Sequence, residues 1–195
     1  MLRIIEIEEG QRRNDCVALM CAEIYGMSAG LAPLVRYAQV VGELLPNHAA
    51  RVVALAEGEL LRSVALLVLE ESGKGLSLEL LTTPLDLRGK GYARELVERL
   101  ATTTAMRVTT ADARLQGFFT TFGFSRWLDD PSSADRTGLN ALHGAASLAE
   151  LPPLEGVSDE VILRTFKHDP ATFEHYKQQF INGVENAPRH FSTLN

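Results

Sequence analysis

Residues 88–93, Arg88-Gly89-Lys90-Gly91-Tyr92-Ala93, set two glycines around a lysine, directly after an arginine and directly before a helix-forming run. The chemistry open to such a stretch is anion binding. A turn that opens a helix leaves several backbone N–H groups unpaired, and the helix dipole adds partial positive charge there. Phosphates and pyrophosphates sit well at such a place. Gly89 and Gly91 let the backbone come close and take positive φ values. Arg88 and Lys90 can add charge. Other chemistry-bearing residues are thinner. His48, His143, His168, His175 and His190 stand singly, without partners at recognisable spacing, and read as surface residues. Cys16 and Cys21 are not a C-x-x-C pair and have no Cys/His cluster around them, so they read as buried free thiols.

Three phosphate-loop patterns compete for residues 88–93. The dinucleotide fingerprint G-x-G-x-x-G fails at its third glycine, where Arg94 stands, and no parallel βαβ unit precedes it. The Walker A pattern G-x-x-x-x-G-K-[ST] does not occur. A third form, [Q/R]-x-x-G-x-[G/A], is met at Arg88, Gly91 and Ala93.

Several elements must position this loop. Residues 2–8 read as a first strand, and Asn14–Tyr25 as a helix capped by Asn14 or Asp15. A second helix follows Gly30 and stops at Pro46-Asn47. Arg51–Ala56 and Leu60–Leu69 read as strands joined at Gly58, and Leu76–Thr83 as a third. The loop follows at once, then a helix over roughly 91–104. Met106–Thr110 is a short strand, Ala111–Phe122 a helix ended by Gly123, and Phe124–Leu128 another strand. Residues 129–158 read as a long insertion with a short helix over 138–149. Val161–Lys167 reads as a final strand, and 170–183 as an amphipathic helix with Phe173, Tyr176 and Phe180 on one face.

Residues 118–124, Phe-Phe-Thr-Thr-Phe-Gly-Phe, lie about 25 residues beyond the loop. Together with Arg88–Ala93 they make the chain resemble the GNAT acetyltransferase superfamily. In that family a strand leads into an R-G-x-G-x-[G/A] loop and helix, and a second helix ends in a pattern like F-Y-x-x-x-G-F. The resemblance covers residues 1–128 and 161–167. It implies an α/β (α+β) fold with a central mixed, mostly antiparallel, twisted sheet flanked by helices. The expected organisation is a GNAT domain over 1–168, including the insertion, and a C-terminal helical extension over 169–195.

The resemblance also implies roles. The backbone of Arg88, Gly89, Lys90, Gly91, Tyr92 and Ala93 would hold the pyrophosphate of acetyl-CoA. Leu81, Thr82 and Thr83 would pair with its pantetheine arm. Asp112 stands where relatives often have an asparagine near pantetheine, and it reads equally as a plain N-cap. Phe119 stands where many relatives have a tyrosine that protonates the leaving thiolate, and phenylalanine has no proton to give. Glu79, the only ionisable side chain on its strand, is a candidate general base on one face with Ser77, Leu81 and Thr83. It is equally a candidate for a surface carboxylate or a salt bridge. Tyr25 and Met27 lie where relatives often build the acceptor pocket. The implied reaction is direct transfer of an acetyl group from acetyl-CoA to an amine in a ternary complex, with no metal. The amine stays open: a small amine, an amino acid, an antibiotic, or a protein N-terminus or lysine. The rival reading is an acyl-CoA-binding module without turnover, with a regulatory or assembly role.

Composition limits the alternatives. With 195 residues, 46% apolar and 23% charged, the chain can build an ordinary core. A net charge of −6 argues against bulk affinity for nucleic acid or acidic membranes. No apolar run reaches the ~18–20 residues that span a bilayer, and residues 1–13 carry no apolar signal region. Free thiols suit a reducing cytoplasm. The tail helix needs an apolar surface, its own or a second chain's, which makes a homodimer an expectation.

Overall fold

The computed structural model describes residues 1–26 and 30–192, so Met27 lies outside the described residues. Strands β1 (Leu2–Glu6), β2 (Ala50–Glu57), β3 (Leu60–Leu69), β4 (Leu76–Thr82), β5 (Met106–Thr110), β6 (Arg126–Asp129) and β7 (Arg136–Leu139) form one sheet. Its order is β1-β2-β3-β4-β5-β7-β6. Only β4 and β5 run parallel among the described strands; every other pair is antiparallel. The sheet is therefore mixed and mostly antiparallel, as the resemblance implies.

Strand alternation divides the core in two. Val52, Ala54 and Ala56 of β2 face one side, and Val53 and Leu55 face the other. On the first side lie α1 (Gly10–Tyr25), α2 (Ala32–Gln39), α5 (Asp159–His168) and α6 (Pro170–Asn186). On the second lie α3 (Tyr92–Ala101) and α4 (Ala113–Thr121).

Several expectations need correction. Helix α1 begins at Gly10, because Glu9 caps it by accepting from the N–H groups of Gln11 and Arg12. Asp15 is not a cap; it is buried, 2.9 Å from His190 Nε2. Helix α2 runs on into a π turn over Val40–Leu44. The segment 138–149 holds no α-helix, only the start of a 3-10 turn over Leu148–Glu150, and the expected insertion contains β7. Val161–Lys167 is not a strand but most of α5. Ile162 and Phe166, four apart, point into the core while Val161 and Leu163 stay exposed. Asp159 and Glu160 at the start of α5, with Lys167 and His168 at its end, match the helix dipole.

The tail finds its apolar surface within the chain. Phe180 of α6 lies 5.5 Å, centroid to centroid, from Tyr37 of α2. Gly183 packs so closely on α1 that a Cβ there would stand 2.7 Å from Ala18 Cβ. None of the described helices is long and apolar enough to cross a membrane.

Candidate active site

Strands β4 and β5 pair at only two positions, Leu76 with Met106 and Ser77 with Arg107. Beyond Ser77 the strands part. The gap is a cleft of about 620 Å³ lined by Leu78, Glu79, Leu81 and Thr83 on one wall and Val108 and Thr109 on the other. Phe118, Phe119 and Leu115 of α4 close its floor, and Ile24 of α1 stands at its side. Its outer end reaches Arg88 and Ala93.

The glycine loop presents backbone donors at that end. Gly91 is the N-cap of α3 with φ 83°, a left-handed conformation that favours glycine, and no side chain caps the helix. The first helical bond runs from Glu95 N–H to Gly91 O at 3.0 Å. Among the described residues, the N–H groups of Gly89 through Ala93 have no acceptor within the chain. Arg88 behaves differently. Its N–H donates to Leu85 O at 3.3 Å, its Nε donates to Thr83 O at 2.9 Å, and its Nη2 is paired with Glu23 at 2.7 Å. Its side chain thus braces the loop against β4 and α1, where the sequence reading gave it to the anion. The Tyr92 ring is half-buried and packs against both cores, with Arg62 over it.

The other candidates fall in several places. Leu81 and Thr83 line the cleft; Thr82 does not, being buried with its carbonyl accepting from Ser63 Oγ at 3.1 Å. Asp112 is outside the cleft and caps α4, accepting from Arg114 N–H at 2.7 Å. Phe119 is in the floor, 5% exposed, edge-on to Phe118 and Phe124.

Glu79 occupies a β-bulge. Across β3, Leu66 pairs with Leu80 and Leu67 with Leu78, so Glu79 is the extra residue. The bulge breaks the period of two. Leu78 packs toward α3 and α4, whereas Leu80, two residues on, packs toward α1 and α2. Ser77 and Glu79 do meet, but Leu81 packs on the opposite face, so the single shared face expected from the sequence does not exist. Glu79 Oε1 accepts from Ser77 Oγ at 2.5 Å, and Oε2 accepts from Arg36 Nη2 at 2.8 Å. Arg36 Nη1 donates to Gln39 Oε1 at 2.5 Å. Glu79 also borders a second chamber, of about 230 Å³, on the α2 side of the strand. Among the described residues it is the one that lines both spaces.

Sequence reasoning missed this Ser77–Glu79–Arg36–Gln39 constellation. Only the spacing of Arg36 and Gln39, three apart on a helix, was readable; their partner lies 43 residues away. Burial pushes the Tyr25 hydroxyl above its ordinary value, with Arg36 opposing. Tyr25 stands beside Ile24 but does not line the cleft. Two histidines that read as lone surface residues have carboxylate partners. His143 Nε2 lies 2.9 Å from the buried Glu70, with Arg107 3.5 Å from the same oxygen, and His190 holds Asp15. Neither histidine lines the cleft. Among the described residues, no three His, Cys, Asp or Glu side chains come together as a metal-binding group.

No protein-family model matches the chain, and no curated protein does. Solved structures match clearly. An acetyltransferase from Thermus thermophilus superposes with a TM-score of 0.51 at 18% identity, over 72% of this chain and 96% of that one. An acetyltransferase of the GNAT family from Staphylococcus aureus Mu50 gives 0.51 at 14%, over 72% and 98%. The PaiA N-acetyltransferase from Thermoplasma acidophilum, solved in complex with coenzyme A, gives 0.52 at 11%, over 72% and 98%. The chain has the fold of the GNAT acetyltransferase superfamily. The matched structures are covered almost whole, whereas more than a quarter of this chain has no counterpart in them.

Proposed function

We propose that the chain is an acetyl-CoA-dependent N-acyltransferase. One observation carries the reading: the gap between β4 and β5 ends on the unpaired N–H groups of Gly89–Ala93. A long thin ligand with an anionic group partway along it fits that shape. Backbone donors at the start of α3 suit its pyrophosphate. The unpaired edge of β4 at Leu81–Thr83 suits the amide groups of a pantetheine arm, strand to strand. The expectation of side-chain charge from this loop now rests on Lys90, since Arg88 is engaged.

Transfer follows from position. A neutral amine attacks the thioester carbonyl carbon, the C–N bond forms, the C–S bond breaks with its electron pair going to sulfur, and the nitrogen's surplus proton passes to the thiolate directly or through water. Holding the amine against the thioester supplies much of the acceleration. The attacking amine must first lose its ammonium proton. Among the described residues Glu79 is the only carboxylate lining the cleft, and each of its oxygens keeps a lone pair beyond its bond to Ser77 or Arg36. Phe119 offers the sulfur no proton, so the thiolate takes one from another donor or from water, or leaves unassisted, for which a thiol pKa of about 8.5 makes it a tolerable leaving group. On this reading residues 1–168 are the catalytic domain and 169–195 an extension that buttresses α1 and α2. Two free, buried cysteines suit a reducing compartment.

Calorimetric titration with acetyl-CoA, wild type against Gly91→Asp, tests the binding half. No Cβ obstacle lies within 4 Å of Gly91, and aspartate tolerates positive φ, so the variant brings a carboxylate to the loop with modest strain. Binding that vanishes in the variant supports the reading; equal binding sinks it. Phe119 favours a second reading, an acyl-CoA-binding module without turnover. CoA release above background with any amine in a broad panel would sink that one.

A further inference from the structure

The 230 Å³ chamber behind Glu79 has a built wall that the sequence does not advertise. Segment 154–157 closes it against α2 and β3. Glu155 N–H donates to Leu69 O at 3.0 Å, Glu71 N–H donates to Pro153 O at 2.9 Å, and Gln39 Nε2 donates to Val157 O. Gly156 has φ 127°, and a Cβ there would meet Leu44 Cδ2 at 2.9 Å. The wall is therefore pinned at both ends and close-packed in the middle.

The chamber is apolar at Leu44, Val68 and Leu154 and carries one ion pair, Arg36 with Glu79. Glu155, the other charged residue on its border, is solvent-exposed. The Arg36 side chain is only 15% exposed, and its Nε is buried with no partner. A guanidinium carries five N–H groups, and the described residues supply acceptors to only two of its nitrogens. When Glu79 accepts a proton from an amine it becomes neutral, and Arg36 is left as a mostly buried, uncompensated cation. That is the costly half of a broken ion pair.

We propose that the acceptor is a small amine that also carries a carboxylate, of the α-amino-acid type. This inference rests on the acyltransferase reading above. In such a zwitterion the ammonium and carboxylate sit side by side, as do Glu79 and Arg36, 2.8 Å apart with opposite signs. Its ammonium faces Glu79 and its carboxylate faces the guanidinium, whose two terminal nitrogens each keep a second N–H beyond the bonds to Gln39 and Glu79. The carboxylate then compensates Arg36 at the moment Glu79 is neutralised. A diamine or polyamine supplies no such group and adds a second cation beside Arg36. A space of about 230 Å³ is on the scale of a small amino acid such as L-valine and too small for a polypeptide segment.

The test has two independent readouts on the full chain. L-Valine, L-alanine and glycine are titrated calorimetrically into protein saturated with CoA, using wild type, Arg36→Gln and Arg36→Lys. At least one should bind the wild type, with affinity lower by about tenfold or more in Arg36→Gln and intermediate in Arg36→Lys. Unchanged acetyl-CoA affinity shows that the variants are folded. CoA release is then compared for these amino acids, 2-methylpropylamine and putrescine. Release with the amino acids and not with the two plain amines supports the inference. Release with plain amines alone, or no binding of any amino acid to the wild type, overturns it and leaves the acyltransferase reading intact. Failure to bind acetyl-CoA overturns that reading, whereas amino-acid binding lost in Arg36→Gln would still support the chamber assignment.

Discussion

Replacing Glu79 with glutamine removes a proton acceptor and keeps the shape. The glutamine oxygen can accept from Arg36, and its NH2 can donate to Ser77 Oγ, whose own hydrogen rotates away. The loss in stability is the difference between a charged and a neutral hydrogen bond, about 1 kcal/mol. The catalytic loss is larger if Glu79 accepts the amine's proton. General base catalysis contributes about 10²–10⁴-fold, which is about 3–5 kcal/mol of barrier at ~1.36 kcal/mol per decade. The assay is CoA release under saturating acetyl-CoA as a function of pH. Without a base, the rate follows the fraction of amine that is already neutral. It should climb about tenfold per pH unit until the pH reaches the amine's own pKa. The gap between variant and wild type should therefore close at high pH. A variant within about threefold of wild type at pH 7, with unchanged acetyl-CoA affinity, refutes Glu79 as the base. A uniform loss with no change in pH slope leaves it a structural partner of Arg36.

Three further outcomes are expected. Phe119→Tyr puts a hydroxyl in the floor of the cleft; on the proposed reading it meets the departing sulfur, so CoA release should rise at unchanged acetyl-CoA affinity, and an equal or lower rate removes the proton-donor argument. Burial pushes the Cys16 and Cys21 thiols from 9.0 up to about 12. Iodoacetamide at about pH 8, below the ordinary thiol pKa, should label neither in the folded protein and both in denaturant, as read by mass spectrometry; rapid labelling of the folded protein contradicts their burial. Because these folded-state pKa values are raised, the stabilisation is whole below pH 9 and is lost as pH climbs toward about 12, which thermal melts across that range should trace. Gly183→Val drives a side chain into Ala18 and should cost about 1–3 kcal/mol by urea denaturation, against less than about 0.5 if α6 does not pack on α1 as described.

What the sequence disclosed, and what it hid, divides along range. The Gly89–Ala93 loop and the strands and helix around it were readable because their signals are local: turn glycines, a helix start, an apolar run. The α5 segment misled for a local reason as well. Val161, Ile162 and Leu163 are β-favouring neighbours, yet Ile162 and Phe166 are the residues that find the core, at helical spacing, and Asp159-Glu160 ahead of them marked a helix start. Strand β7 was hidden because Arg136-Thr137-Gly138-Leu139 has little strand propensity of its own. Its glycine is there because a Cβ would stand 2.8 Å from the Trp127 ring. The site's decisive features are longer-ranged still. Arg88 meets Glu23 across 65 residues, and Arg36 meets Glu79 across 43. No spacing rule relates such partners. The bulge at Glu79 depends on how β3 pairs with β4, so a count by twos along β4 put Leu81 on the wrong face. That slip turns Leu80 toward α1 and α2 and Leu81 to the opposite face, while Glu79 stays on the face of Ser77, toward α2. It thereby makes a single side chain the boundary between the space suited to the acyl donor and the chamber proposed for the acceptor.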